Sequence, residues 1–198
     1  MRADPDGGGD DLDEASVGTT AHRLEGRHRA ATRRPHWGVF AGLAAAILIA
    51  DQLTKAWIVA NVDPARPTRL VDDVLRLIVS HNHGALFGLF QGQAMLFAIA
   101  SVAVIALIVA YHARAGGSLV MSVALGLLLG GAIGNVADRL RYGYVVDFVD
   151  AGIGDVRWYT FNVADSAISL ALVLLVLVAI RPSLAAAGEP PSAGGTDA

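Results

Sequence analysis

The chain has 198 residues, of which 54% are hydrophobic and 17% charged, with a formal net charge of −3 and a mean hydropathy of +0.51. Because a soluble domain carries roughly 25% charged residues, this composition indicates a membrane protein, and the length leaves room for one bundle. There is no basic excess of the kind that nucleic-acid binding needs, and the absence of cysteine excludes disulfides, thiolate metal sites and a cysteine nucleophile.

The two ends of the chain differ in composition from its centre. Residues 1–36 are rich in Asp, Gly, Arg and Ala, and residues 183–198 in Gly, Pro, Ala and Ser. Such segments bury too little apolar surface to offset their ordering entropy. We therefore expect disordered extensions at both ends of a membrane domain that covers residues 37–182.

Four apolar stretches between these ends are each long enough to cross a hydrocarbon core of about 30 Å, which takes about 20 helical residues. They cover 37–60, 94–111, 118–136 and 163–180. A basic region precedes the first stretch, as in a secretory signal, but three further spans favour an uncleaved first helix. The sequence therefore predicts an all-α integral membrane protein with four transmembrane helices.

The arginines and lysines that flank the spans indicate the orientation of the chain. Five arginines lie between positions 23 and 34, and Arg114 and Arg181 follow the second and fourth spans. The other two loops, 61–93 and 137–162, together carry six arginines. This small bias predicts that both termini are cytoplasmic and that these two loops are extracytoplasmic.

The two outer loops have different characters. Residues 70–79 of the first are rich in β-branched residues and flanked by turn residues, which predicts one or two short extracytoplasmic strands on the membrane surface. The second loop is polar and carries four acids, Asp138, Asp147, Asp150 and Asp155.

Ionisable residues within a membrane span are costly and indicate function by default. Asp51 and Lys55 lie near the outer end of the first span, four residues apart, so that they share a helix face and can pair. A structural ion pair and a role in positioning a site both remain open for them. In the third span, Gly126, Gly130 and Gly134 form a small-residue face for close helix packing.

Two further acids are candidates for chemistry. Asp147 is flanked by Tyr-Val-Val and Phe-Val, and partial burial there would favour its protonated form. Asp165 follows Asn162 by three residues, as in a capping box, and the helix macrodipole favours its ionised form. Two carboxyls in opposed environments suit general acid–base hydrolysis, although Asp165 also has a purely structural interpretation as part of a helix cap.

All the unusual polar groups fall at one end of the spans, the predicted extracytoplasmic end. The second span carries no acid or base from Ala94 to Ala110. This arrangement predicts chemistry at the outer membrane interface.

At this point the motifs resemble those of the lipoprotein signal peptidases, also called signal peptidase II, over about residues 37–180. Five motifs carry the resemblance in order: Asp-Gln-Leu-Thr-Lys at 51–55, Asn-His-Gly-Ala-Leu-Phe-Gly at 82–88, Gly-Gly-Ala-Ile-Gly-Asn-Val-Ala-Asp-Arg at 130–139, Val-Asp-Phe at 146–148 and Phe-Asn-Val-Ala-Asp at 161–165.

The resemblance implies an aspartyl peptidase of the bacterial plasma membrane that acts without a cofactor, as a monomer. Its substrate is a prolipoprotein with a diacylglyceryl group on a Cys, and it cuts just before that Cys. The catalytic pair corresponds to Asp147 and Asp165, and the short strands correspond to a cradle that holds substrate. The residues that support the site or bind substrate correspond to Asp51, Lys55, Asn82, Gly84, Asn135, Asp138, Arg139 and Asn162.

Which acid carries the proton is a coupled-titration question that the sequence leaves open; the environments favour Asp165 as base and Asp147 as acid. Asp138 beside Arg139 is interpreted as a scaffold pair. His81 and His83 flank Asn82 and suggest a metal site, but we expect them to face opposite ways on a strand, and no metal is predicted.

Three other classes of protein fit the sequence less well. The run Gly-Ile-Gly-Asp at 152–155 matches the Gly-x-Gly-Asp pattern of presenilin-like proteases, but it lies in a polar loop instead of a span. A transporter would place polar groups near the bilayer midplane, and a purely structural subunit would not need two interfacial acids among apolar residues.

Overall fold

The computed structural model describes residues 35–84, 94–114 and 117–186. Four long helices dominate it: α1 (Trp37–Asn61), α2 (Ala94–Arg114), α3 (Leu119–Tyr142) and α4 (Val163–Ile180). Each is long and apolar enough to cross a membrane, which confirms the four predicted spans. The predicted extension at residues 1–36 lies almost wholly outside the described residues, and a one-turn helix α5 (Ser183–Ala186) begins the segment predicted to be a disordered tail.

The third helix is longer than predicted. The sequence places the end of this span near residue 136, yet α3 continues to Tyr142 and ends at Gly143, whose left-handed φ of 77° is a common helix C-cap. The helix continues because Asp138, the charge that suggested a loop, is buried and neutralised by a neighbouring helix. The polar segment is therefore helical at its start.

Helix α3 is the centre of the bundle, since most of its apolar length is buried, whereas α1, α2 and α4 leave most of theirs uncovered. Glycines permit this close packing. A Cβ on Gly130 would lie 2.6 Å from the carbonyl oxygen of Ala44 in α1, and one on Gly131 would lie 2.5 Å from that of Ala164 in α4. The predicted small-residue face thus sets the spacing between α3 and α1.

Substitution of Gly130 by alanine is expected to lower the free energy of unfolding by about 1–3 kcal/mol, because the added methyl group meets backbone atoms that side-chain rotation cannot move. Thermal unfolding in detergent measures the change. Gly42→Ala is the matched control, since a Cβ there has no atom within 4 Å among the described residues. Equal melting temperatures for the two variants would contradict this account of the interface.

The segments between α1 and α2 and between α3 and α4 form one antiparallel four-stranded sheet in the order β1 (Thr68–Val71), β2 (Leu75–Asn82), β3 (Val145–Ile153) and β4 (Val156–Arg157). The strands predicted at 70–79 are confirmed as the β1–β2 hairpin. The interpretation of Asp147 as a loop residue is wrong, because it lies on β3 opposite Ser80. The sequence pattern predicted a polar loop here because of the acids. These acids are paired inside the fold, so the segment forms a strand.

The sheet rests on one end of α1. Phe148 of β3 packs against Ile58 and Val62, with Leu77 and Val149 around them. This contact joins the sheet to the membrane domain near Asp51 and Lys55, and it holds β3 against the start of α4.

Candidate active site

A buried ion triad joins three elements beneath the sheet. The Lys55 ammonium lies 2.7 Å from Asp51 Oδ2 and 2.8 Å from Asp138 Oδ2, and all three side chains are almost fully buried. The predicted Asp51–Lys55 pair is confirmed. The interpretation of Asp138 and Arg139 as a pair is wrong: Asp138 points towards Lys55 and accepts a hydrogen bond from the backbone of Val146 at 3.1 Å, because adjacent residues on a helix face different neighbours.

Acids and amides of the site accept hydrogen bonds from the backbone N–H groups at the start of α4. Asp51 Oδ1 accepts from the backbone N–H of Ala164 at 3.0 Å. Asn162 accepts from the backbone of Asp165 at 2.9 Å, and Asp165 accepts in return from the backbone of Asn162 at 3.2 Å. The predicted capping box is therefore present, and the buried helix end leaves no need for water at these donors.

Asp147 occupies the middle of this network and is 2% exposed. Its Oδ1 accepts from Asn162 Nδ2 at 2.7 Å, and its Oδ2 accepts from Asn82 Nδ2 at 3.0 Å. Both amides are themselves oriented by backbone groups, since Asn162 caps α4 and Asn82 accepts from the N–H of Gly84 at 3.0 Å. The carboxyl is thus held by two fixed donors.

Asp165 meets the same network from α4. Its Oδ1 accepts from Asn135 Nδ2 at 2.8 Å, while Asn135 Oδ1 accepts from Lys55 Nζ and from Asn162 Nδ2, each at 3.2 Å. Asn162 therefore contacts both acids, through its side-chain amide to Asp147 and through its backbone N–H to Asp165. The two carboxyls that the sequence singled out lie side by side around one asparagine.

The electrostatic environment separates Asp147 from an ordinary surface acid. Burial, and then the charge of Asp165, raises the pKa of Asp147 to about 7, against the opposing effects of the amide donors and of Lys55. Desolvation disfavours the ionised carboxylate and a neighbouring negative charge disfavours it further. Asp147 is therefore able to exchange a proton at neutral pH.

Arg139 and Gly84 border the pair. Arg139 donates to the carbonyl oxygen of Gly84 at 3.2 Å and to that of Asn135 at 3.4 Å. Its Nε is buried and has no hydrogen-bond partner among the described residues. All ten residues predicted for the site thus belong to one hydrogen-bonded cluster.

Gln52 belongs to the cluster but was missed by the sequence argument. Its Nε2 donates to Asp138 Oδ1 at 3.0 Å and to Asp51 Oδ2 at 3.2 Å, and its Oε1 accepts from Arg141 at 3.1 Å. The signal was a polar residue inside a span, directly after Asp51. Glutamine is uncharged, so a criterion based on ionisable residues within a span does not identify it.

The expectation that His81 and His83 face opposite ways is wrong. Residues two apart on an extended chain share a face, and both imidazoles contact the ring of Tyr144, with centroids 4.2 and 5.3 Å away. Asn82 between them points towards Asp147. Within the described ranges, no cluster of three or more His, Asp or Glu side chains has the arrangement of a metal site.

The chain is similar to known proteins over most of its length. The family model described as signal peptidase (SPase) II matches residues 43–181. Lipoprotein signal peptidase of Syntrophomonas wolfei is 38% identical over 144 residues, which are 73% of this chain and 91% of that protein. The one from Methylorubrum extorquens is 42% identical over 145 residues, 70% of this chain and 83% of that protein.

The fold has counterparts among solved structures. A bacterial membrane enzyme determined by the in meso method aligns with a TM-score of 0.71 and 27% identity, covering 80% of this chain and 98% of that one. A second such enzyme aligns with a TM-score of 0.68 and 29% identity, covering 76% and 97%.

Proposed function

The chain belongs to the signal peptidase II family, whose members are aspartic peptidases that cleave the signal peptides of prolipoproteins, and we propose that Asp147 and Asp165 are its catalytic pair. The observation that carries this assignment is the contact of both acids with Asn162, one through its side chain and one through its backbone. They are the two acids that the network leaves without a cationic hydrogen-bond partner among the described residues, whereas Asp51 and Asp138 are neutralised by Lys55.

The proposed reaction uses one proton shared by the pair. Asp165 accepts a proton from water, and the water oxygen forms a bond to the scissile carbonyl carbon while protonated Asp147 donates to the carbonyl oxygen. When the tetrahedral intermediate collapses, the C–N bond breaks, Asp165 returns its proton to the leaving amine and Asp147 recovers the proton from the hydroxyl. Water is consumed, no covalent enzyme intermediate forms, and no cofactor takes part.

The raised pKa of Asp147 supports this division of roles, since an acid that titrates near neutral pH is a better proton donor than one that is fully ionised. Asp165 accepts hydrogen bonds at both oxygens, from Asn135 and from the backbone of Asn162, which fixes the orientation of its carboxyl group beside Asp147. The pair titrates as a unit, so its apparent pKa values belong to both groups.

The other predicted residues divide into two groups in this proposal. Asn82, Gly84 and Arg139 border the pair and are the residues that we assign to substrate contact. The remaining five hold the network in place: Asp51, Lys55, Asn135, Asp138 and Asn162.

We further propose that the protein acts as a monomer in a bacterial plasma membrane, with the site at the extracytoplasmic face and both termini in the cytoplasm. The clustering of the polar network at the ends of three spans supports an interfacial site, and the arginine bias of the flanking segments supports the orientation. The substrate is a prolipoprotein whose Cys carries a diacylglyceryl group. Because that lipid and the signal helix both partition into the bilayer, the scissile bond reaches an interfacial site without leaving the membrane.

Cleavage of a synthetic prolipoprotein in liposomes tests the proposed function. We expect mass spectrometry to locate the cut directly before the diacylglyceryl-Cys, and the unlipidated peptide to be cut far more slowly. In ¹⁸O-labelled water, a single turnover should place the label in the new carboxylate of the signal peptide and none in the enzyme. Label in Asp147 or Asp165 would contradict the water mechanism and indicate a covalent one.

The pH dependence gives a second test of the roles. If protonated Asp147 is the general acid, kcat/KM should fall by about tenfold per pH unit above an apparent pKa near 7. Because the hydrogen bond from Asn82 lowers the pKa of Asp147, Asn82→Ala should move this alkaline limb to higher pH, whatever it does to the maximal rate. A limb that stays in place would contradict the assignment of the limb to Asp147.

A further inference from the structure

The two acids of the buried ion triad each bind the peptide group directly before a proposed catalytic acid. Asp138 Oδ2 accepts from the backbone N–H of Val146 at 3.1 Å, and Val146 directly precedes the catalytic acid of β3. Asp51 Oδ1 accepts from the backbone N–H of Ala164 at 3.0 Å, and Ala164 directly precedes the catalytic acid of α4. The separation between these two triad carboxylates therefore bears on the separation between the catalytic carboxyls.

Two side chains of α1 connect these triad carboxylates. The Lys55 ammonium contacts Oδ2 of both acids, at 2.7 and 2.8 Å. Gln52 makes a second connection, because its Nε2 donates to Asp51 Oδ2 at 3.2 Å and to Asp138 Oδ1 at 3.0 Å. Among the described residues, Gln52 is the hydrogen-bond donor to Asp138 Oδ1, and Asp138 is only 1% exposed. Without Gln52 this buried oxygen would lose its partner, which costs free energy, so we expect the carboxylate to turn and release Val146.

Arg141 fixes the orientation of the Gln52 amide. It is exposed, lies one helical turn after Asp138 on α3, and donates from its guanidinium to Gln52 Oε1 at 3.1 Å. Arginine has only donors and an ionised carboxylate only acceptors. The amide therefore satisfies both neighbours in one orientation, with its oxygen towards Arg141 and its nitrogen towards the acids. The guanidinium also brings a second positive charge to a triad in which Lys55 supplies one for two carboxylates.

We propose that Gln52, oriented by Arg141, is a positioning residue for the peptidase reaction. Its amide holds Asp51 and Asp138 at a fixed separation, and these acids hold the peptide groups next to the catalytic pair. Misplacement of a catalytic group by about 1 Å can lower a rate about 10²-fold, so loss of this amide is sufficient to slow cleavage. This role rests on the proposed function, because it concerns the geometry of the proposed catalytic pair.

The variant Gln52→Met keeps the length of the side chain and removes the amide. We expect kcat for prolipoprotein cleavage in liposomes to fall by about tenfold or more while KM changes by less than about twofold, because the substrate contacts are retained. Thr54→Val is the matched control on the same turn of α1, since its hydroxyl donates to the backbone carbonyl oxygens of Ala50 and Asp51, and it should keep both constants. Unchanged kcat in Gln52→Met, a higher KM alone, or an equal loss in the control would overturn the proposal.

Variants of Arg141 test the same role at an exposed position, where substitution is not expected to unfold the protein. Arg141→Met should slow cleavage at a near-normal melting temperature, and Arg141→Lys should retain most of the rate, because lysine also donates to the amide oxygen. If Arg141 acts through Gln52, the double variant with Gln52→Met should be no slower than Gln52→Met alone. Losses that multiply in the double variant, or a normal rate in Arg141→Met, would overturn the proposal.

Hydrogen exchange measures these contacts without any cleavage. The backbone N–H groups of Val146 and Ala164 are bonded to the triad carboxylates. In Gln52→Met they should exchange about tenfold faster or more, as expected when a hydrogen bond to a charged group is weakened, and in Thr54→Val they should exchange as in the wild type. Unchanged exchange in Gln52→Met overturns this inference alone. A wild-type enzyme that leaves the diacylglyceryl-modified substrate intact contradicts the proposed function, and the exchange rates then still decide whether Gln52 sets these contacts.

Discussion

Asp147→Asn and Asp165→Asn are each expected to lower the rate of prolipoprotein cleavage by at least about 10³-fold, because each removes one of the two groups that transfer a proton in the transition state. Neither amide can replace the lost function: asparagine at 147 cannot donate an acidic proton, and asparagine at 165 cannot accept one from water. Initial rates in liposomes, with substrate in excess, measure the loss.

The matched control for these variants is Asp155→Asn, an acid in the exposed turn between β3 and β4, which should keep full activity. Because the pair acts as a unit, the double variant should be no slower than the slower single variant. Both oxygens of each acid accept from N–H donors, so an amide introduces one donor–donor contact. Melting temperatures must therefore accompany the rates, and a well-folded Asp147→Asn or Asp165→Asn enzyme with near-normal rates would disprove the assignment.

The membrane helices were predictable because their signal is local. A run of about 20 apolar residues is required to cross the hydrocarbon core, and each of the four runs satisfies it independently of the rest of the fold. The end of α3 was not predictable in this way, because it depends on a partner distant in sequence. Asp138 remains helical through its contact with Lys55, 83 residues earlier, and a local pattern contains no trace of that contact.

Strand β3 was also not predictable from a local sequence pattern. Its residues Phe148 and Val149 belong to the cluster at the end of α1, and its buried acids pair with arginines or asparagines, so it lacks the polar-outward alternation typical of a strand beside water. The sequence identified Asp147 through its apolar neighbours and placed it in a loop. The chemical identity of the residue was visible, whereas its backbone conformation depended on pairing with β2 across more than 60 residues.

The sequence predicted which residues belong to the network around the acids, but not which of them are hydrogen-bonded to each other. The motifs named Asn135 and Asn162 together with the acids, yet which oxygen accepts from which amide depends on three-dimensional placement. Lys55 illustrates the difference, because the sequence pairs it with Asp51 only, while the structure adds Asp138 and Asn135 as partners. Lys55 therefore connects the scaffold to Asp165 through a single amide.

Lys55→Met is expected to have the second largest effect. The change leaves Asp51 and Asp138 buried close together with no cation between them, and the loss of one partner of a buried ion pair typically costs about 3–5 kcal/mol. Asn135 also loses the donor that holds its oxygen, so its amide is free to turn away from Asp165. Both the melting temperature in detergent and the rate of cleavage should fall.

The double variant Lys55→Met with Asp138→Asn separates these two effects. Removing one carboxylate relieves the unbalanced charge, so much of the lost thermal stability should return. The orientation of Asn135 is not restored, because its hydrogen bond to Lys55 is still absent, and the rate should therefore recover much less than the melting temperature. Parallel recovery of both would show that Lys55 acts only by neutralising the buried acids, and an unaltered Lys55→Met enzyme would show that the triad contributes neither stability nor orientation.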